Sequence, residues 1–242
     1  MRFARVAPAV TRAPPGYEGR FDLAGWQLMG KVFRLAPRPA SRRPYLVDLG
    51  AGRGRDMLYF ARRGFRVLGI DIDPTGLDRA RRRAFRFGVR IRTRVADLRT
   101  VRLDGPFEVV FSTSALNAIP PELRSLRFSH YRAVTSPGGI HAVNAFVGGP
   151  RDPPGPDREA EQSPFAPGEL ASYYRGWEIL SSERFALECR FGGPEHRHVW
   201  DMLVARSPVR ARAIAEPGLR PRSERSGPAR RPPGTVPTRV VV

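Results

Sequence analysis

The sequence predicts a doubly wound α/β sheet, and three features of it carry that prediction. Short apolar runs alternate with segments of helical period along most of the chain, as in a parallel sheet with crossover helices. The run Tyr45-Leu46-Val47-Asp48-Leu49 feeds a turn holding Gly50, Gly52 and Gly54, which allows close backbone approach to a ligand and opens a helix whose free N–H groups face it. A second strand-like run, Arg66 to Asp71, then ends in an acid at βαβ spacing, roughly 20 residues after the turn, where a ribose-binding carboxylate belongs.

Each element follows from local pattern. Residues 1–16 are rich in Pro, Ala and Arg without periodicity and are expected to be a disordered tail. From Gly19 to Leu35, Phe21, Leu23, Trp26, Leu28, Met29, Val32 and Phe33 fall on an amphipathic helix, stopped by Pro37 and Pro39. Strands are then expected at 45–49, 66–71, 89–95, 107–112 and 139–146, with helices at 54–63, 74–86 and 120–134 between them. Residues 148–164 are too rich in Pro and Gly for regular structure, and long loops in compact domains are often functional. A short helix at 167–174 and strands at 177–187 and 196–205 complete the core. The chain from Ser207 onward lacks pattern and is expected to be a disordered basic tail. The organisation is therefore a tail at 1–16, one domain at 17–206 and a tail at 207–242, without internal repeats.

Composition limits the function classes. The 242 residues include one cysteine, Cys189, which excludes an internal disulfide and a cysteine-cluster metal site and fits a reducing cytoplasm. No apolar run approaches membrane-spanning length, and the first residues lack the apolar stretch of a signal peptide. The net charge of +19 is unevenly spread: residues 1–46 contribute +7, residues 47–206 +6 and residues 207–242 +6. Nearly all the cations are arginine, a pattern also produced by genome composition. Eight arginines between Arg79 and Arg94 read as the solvated face of a helix and strand, with Phe85 and Phe87 turned into the core. A nucleic-acid partner is the less favoured reading of that run.

The motif Val47-Asp-Leu-Gly-Ala-Gly-Arg-Gly54 with Gly69-Ile-Asp-Ile-Asp73 resembles the first two motifs of class I S-adenosylmethionine-dependent methyltransferases. Dinucleotide enzymes keep a GxGxxG turn for a pyrophosphate, whereas here an acid precedes a GxGxG turn, suited to a cofactor with an ammonium and a sulfonium. The resemblance implies a seven-stranded sheet of order 3-2-1-4-5-7-6 with helices on both faces, and S-adenosylmethionine as cofactor. It also implies that Asp48 meets the cofactor's ammonium and Asp71 its ribose hydroxyls, with Gly50, Ala51, Gly52 and Arg55 in the loop. Asp97 and Leu98 would then lie at the adenine, with Ile72 on its face, although an apolar residue at Ile72 is expected to be buried in any fold. Ser112, Thr113 and Ser114, at and after the end of the fourth strand, line the methyl-transfer cleft or serve only as capping and turn chemistry. No metal is required.

Later segments narrow the resemblance. Arg55-Asp56, Tyr59-Phe60-Ala61, Ser163-Pro-Phe-Ala-Pro-Gly-Glu-Leu170 and Met202-Leu-Val-Ala-Arg206 are similar to the tellurite-resistance methyltransferases. In that branch a histidine and arginines near the last hairpin contact the substrate, which puts His196, His198 and Arg190 forward as catalytic candidates, although the match is not residue for residue. Topology supports the position: if the last two strands are parallel and antiparallel to the sheet, their connection lies at the carboxyl edge. The implied activity is methyl transfer to a small molecule or oxyanion. An RNA methyltransferase with basic tails and a non-catalytic cofactor-binding protein are the competing readings. Neither the acceptor nor the oligomeric state is legible.

Overall fold

A computed structural model describes residues 22–148, apart from 39 and 41, together with 163–189 and 196–209; side chains are described within those ranges except at 22–26, 187–189, 196 and 197. The expected tail at 1–16, the chain from Arg210 onward, the 149–162 part of the long loop, and Arg190 lie outside the described residues. Ser207, expected to open the C-terminal tail, is instead buried and its N–H donates to the Gly139 carbonyl at 2.8 Å.

The chain runs α1 (Asp22–Leu35), β1 (Tyr45–Leu49), α2 (Arg55–Arg62), β2 (Arg66–Asp71), α3 (Pro74–Arg86), β3 (Arg92–Val95) and β4 (Phe107–Ser112). It continues through α4 (Pro121–Ala133), β5 (Thr135–Phe146), α5 (Glu169–Ser172), β6 (Glu178–Cys189) and β7 (His196–Arg206). The seven strands form one sheet of order β3-β2-β1-β4-β5-β7-β6. Neighbours from β3 through β5 are parallel. Strand β7 runs antiparallel to both β5 and β6, so the end of β6 at Cys189 and the start of β7 at His196 lie at the carboxyl edge.

Alternation along the buried strands divides the core between two faces. Val47, Ile70, Val110 and Val143 pack with Phe128 and Tyr131 of α4. Leu46, Val109, Phe111 and Ala142 pack with α1, α2 and α3 through residues such as Leu28, Val32, Phe60 and Leu77. Asp48 shares the parity of Leu46 and therefore faces the α1–α3 layer, close to the start of α2.

Differences from the sequence expectation have local causes. Strand β3 begins at Arg92 and not at 89, because the Val89 N–H closes the end of α3 on the Ala84 carbonyl, 3.0 Å away, and cannot join the ladder. Strand β5 begins at Thr135, which pairs with Phe107 before the register shifts ahead of Ile140. Helix α5 is only one turn, bounded by Gly168 and Gly176, both at positive φ. Two expectations about burial are corrected. Phe85 and Phe87 are 88% and 52% exposed, not core, because the inward positions of α3 are taken by Gly76, Leu77, Ala80 and Ala84. Ile72 is 64% exposed, not buried, since it lies just past the end of β2, outside both packed layers.

Buried polar groups hold the frame. The Glu108 carboxylate accepts from Arg42, the Tyr45 N–H and Ser136, and these hydrogen bonds hold it below the ordinary carboxylate range against the opposing effect of burial. His141 lies between Thr135 and Tyr174, and burial pushes its pKa down to about 3. Arg124 of α4 is fully buried. It pairs with Glu169 at 2.9 Å and donates to the Ser163 carbonyl, fixing the chain where it returns from the long loop.

Candidate active site

The site is built on the turn between β1 and α2. Gly50, Gly52 and Gly54 have φ of +81°, +50° and +78°, in the left-handed region that a residue with a Cβ enters only at a cost. At Gly50 space is as restrictive as φ: an added Cβ would lie 2.0 Å from the Ala115 Cβ in the turn after β4. The turn is also tied to β2, with the Gly50 and Ala51 N–H groups donating to the Ile70 carbonyl at 2.8 and 3.0 Å. Arg55 and Asp56 then open α2.

Three carboxylates converge beneath this turn. Asp48 is fully buried, and its Oδ2 has no hydrogen-bond partner among the described residues. Burial first, then the nearby charges of Asp56 and Asp71, push its pKa well above the ordinary carboxylate range. Asp56 is also buried. It accepts from Arg55 Nε at 2.5 Å, Arg55 Nη2 at 3.0 Å and Thr113 Oγ1 at 2.9 Å. Asp71 accepts from the Gly52 N–H at 2.7 Å and the Asp73 N–H at 2.8 Å, so it joins the glycine turn to the start of α3. Asp73 in turn caps α3 by accepting from the Thr75 and Gly76 N–H groups.

An unpartnered carboxylate in a buried acidic cluster is costly unless a cation meets it. The α-ammonium of S-adenosylmethionine would supply such a cation, and the exposed Ile72 beside Asp71 would offer an apolar face to its planar base. The residues present therefore fit this cofactor.

The other predicted positions divide by what their side chains already hold. Asp97 accepts from Arg99 Nε and from the Arg99 N–H, both at 2.8 Å, and the Arg99 guanidinium leads the lowering of its pKa. Its carboxylate is thus ordered beside the end of β3. Leu98 is buried, and its carbonyl accepts from Tyr131 Oη. Ser112 is fully buried and donates to the Leu49 carbonyl at 2.9 Å, so its hydroxyl stitches β4 to β1. His198 is buried on β7, near the rings of Phe146 and Trp200, each with centroids 5.6 Å away. The side chain of His196, like Arg190, is outside the described residues.

Two contacts of the cleft candidates Ser114 and Thr113, to Asn144 and to Asp56, had little signal in the sequence. Ser114 holds φ +54°, sparsely populated for such a residue and often seen at functional sites. Its N–H donates to Asn144 Oδ1 at 2.6 Å. Asn144 is fully buried on β5, and its Nδ2 has no partner among the described residues. Nothing in the run Ala142-Val-Asn-Ala-Phe146 distinguishes Asn144 except a polar residue in an apolar strand. The Thr113–Asp56 bond was equally hidden, since it joins residues 57 apart.

Comparison with known proteins agrees with this geometry. Residues 46–139 match the family described as a methyltransferase domain. No curated protein matched the sequence directly. Among solved structures, TehB from Haemophilus influenzae superposes with a TM-score of 0.65 at 20% identity, over 75% of this chain and 62% of that one. The chain thus spans under two-thirds of that relative's length. A TehB-like S-adenosylmethionine-dependent methyltransferase from Corynebacterium glutamicum gives a TM-score of 0.51 at 19% identity, over 74% and 85%. The 1,6-didemethyltoxoflavin-N1-methyltransferase of Burkholderia thailandensis, solved with S-adenosylhomocysteine, gives 0.56 at 22% identity, over 77% and 79%. These likenesses show a shared fold. The match to a methyltransferase domain spans residues 46–139 and lies within a sheet of the order 3-2-1-4-5-7-6 that the sequence motifs implied.

Proposed function

We propose that this protein transfers a methyl group from S-adenosylmethionine to a small molecule, with an oxyanion as one form of acceptor. The observation that carries the reading is the buried, unpartnered Asp48 carboxylate under a glycine turn held by Asp71. When bound, the cofactor supplies an electrophilic methyl on a sulfonium. Asp48 would meet the ammonium, Asp71 the ribose hydroxyls, and Ile72 with Asp97 and Leu98 the adenine. Gly50, Ala51, Gly52 and Arg55 would shape the loop around the methionine portion, and Ser112 would support it from below.

The acceptor's lone pair attacks the methyl carbon in line as the carbon–sulfur bond breaks, releasing a thioether. For such a displacement the protein's main contribution is to hold both reactants close, aligned and partly desolvated. The carboxyl ends of β4 and β5 and the amino end of β7 are the acceptor side in this reading, with Asn144, Phe146 and His198 on one face. His198, in its neutral form, accepts the proton of a hydroxyl or thiol acceptor. His196 and Arg190 belong to the same hairpin and are proposed to orient the acceptor. An oxyanion would need no base.

The test is an acceptor screen that reads S-adenosylhomocysteine release and includes selenite, tellurite, thiols, phenols and RNA. Turnover with a small molecule, reduced in the His198→Phe variant for protonated acceptors, is the expected result. Calorimetric cofactor binding with no turnover on any acceptor would replace the reading with a non-catalytic binding protein, and turnover on RNA alone would replace the acceptor class. Among the described residues no helix is long and apolar enough to cross a membrane.

A further inference from the structure

The face formed by α3 and β3 combines concentrated positive charge with exposed aromatic rings. Residues 79–94 contain eight arginines, at 79, 81, 82, 83, 86, 90, 92 and 94, and no acid. All eight are exposed. Without them the stretch 47–206 would carry a small net negative charge, so the basic character of the domain is localised here. Surface helices usually turn aromatic residues inward, yet Phe85 is 88% and Phe87 52% exposed.

The arrangement follows from the helix period. Gly76, Leu77, Ala80 and Ala84 occupy the inward stripe of α3, which leaves Phe85 on the outer face with Arg81 and Arg82 one turn before it. Arg81 Nη1 donates to Thr93 Oγ1 at 2.8 Å, so Thr93 is the β3 residue that meets this face, while Arg92 and Arg94 alternate to the other side of the edge strand. The Arg62 guanidinium lies 5.3 Å from the Phe87 ring centroid. Strand β3 is the edge of the sheet. Asp78 pairs with Arg81 and Arg82, and such exposed pairs neutralise little. An expectation that this run is only a solvated face depended on the two phenylalanines being core, and they are not.

We propose that the α3–β3 face binds single-stranded nucleic acid, its phosphates on the arginines and its bases stacked on Phe85 and Phe87. Phosphates alone would explain affinity for any polyanion. Exposed rings interleaved with the cations select a ligand whose own flat rings are free, which a duplex does not offer. Helix α3 rises about 20 Å from its cap at Asp73 to its last turn, so the face is separate from the cofactor turn and does not depend on the identity of the methyl acceptor.

The experiment uses the full chain and follows fluorescence anisotropy of labelled 15-mer oligo-U and oligo-dT across a salt series, with a duplex of the same length, heparin and anionic phospholipid vesicles as competitors. Phe85→Ala should weaken binding to the single strands by about five- to tenfold, while Phe85→Trp retains it. Replacing Arg79, Arg82 and Arg86, which recur on the outer face of α3, by Ser should lower the slope of log affinity against log salt by about two. Cofactor affinity by calorimetry, unchanged in every variant, shows that the fold is intact. RNA and DNA arms that differ would refine the ligand within the proposal. Equal affinity of wild type and Phe85→Ala for oligo-U would overturn it, leaving a generic cationic surface. Loss of vesicle binding in Phe85→Ala with no loss for oligo-U would also overturn it, in favour of a membrane surface.

Discussion

The carboxyl ends of β1 and β2 and, along the same edge of the sheet, the end of β5 with the start of β7 are made of opposite materials. The first is a left-handed glycine turn over three carboxylates, with backbone N–H groups fixing its shape. The second is apolar and aromatic, with Phe146, His198 and Trp200 buried against one another and Asn144 as its polar group. One end has positive charge to accommodate, and the other has a shape to fill. Under the proposed function the difference corresponds to two tasks, holding a cationic cofactor and selecting an acceptor.

The sharpest break of that contrast is at the turn. Gly50→Ala combines a φ of +81° with a 2.0 Å approach to the Ala115 Cβ, and should cost about 2–5 kcal/mol of stability. Thermal unfolding and calorimetry should show a lowered midpoint and cofactor affinity reduced more than a hundredfold; normal affinity would mean that the turn does not contact the cofactor. At the aromatic end, His198→Phe keeps the ring but removes the base. It should lower kcat for hydroxyl or thiol acceptors by about a hundredfold with cofactor affinity near normal, whereas lost folding would mark His198 as structural.

Smaller effects sharpen the comparison within the acidic end. Asp71→Ala should weaken cofactor binding by about tenfold or more, through lost charge-assisted hydrogen bonds to the ribose and a loosened Gly52. Unchanged affinity in titration would remove Asp71 from the site. Asp48→Asn should act in two directions: weaker cofactor binding, but a cofactor-free protein about 1 kcal/mol more stable at neutral pH. The sign follows from its raised pKa. The folded protein retains a proton that the unfolded chain has released, so stability falls as pH rises from the ordinary carboxylate range through the raised value. Urea titrations across pH should show this slope in the parent and not in Asp48→Asn; equal slopes would mean that Asp48 is solvated in solution.

The same contrast explains what was readable in advance. β1, β2, α3 and β4 begin and end where pattern placed them, because apolar alternation, a proline at the start of α3 and glycine turns are local signals. The place of Asp48 and Asp71 at the glycine turn was equally legible, since it depends on chain spacing around that one turn. Asn144 was not, because its significance comes from the Ser114 N–H across the β4–β5 pair. Ile72, Phe85 and Phe87 were misjudged for a related reason: hydrophobicity predicts burial only where a neighbour exists to cover the residue.

The sequence by itself determined the sheet and its cofactor turn, because strand alternation, helix period and left-handed glycines act over distances of a few residues. Tertiary structure alone decided which carboxylate is left unpartnered, how Asp56 reaches Thr113, what surrounds His198, and that two phenylalanines stand among arginines on the outer face. Each of these depends on residues far apart in the chain, or on the absence of a covering layer, and neither is encoded in local pattern.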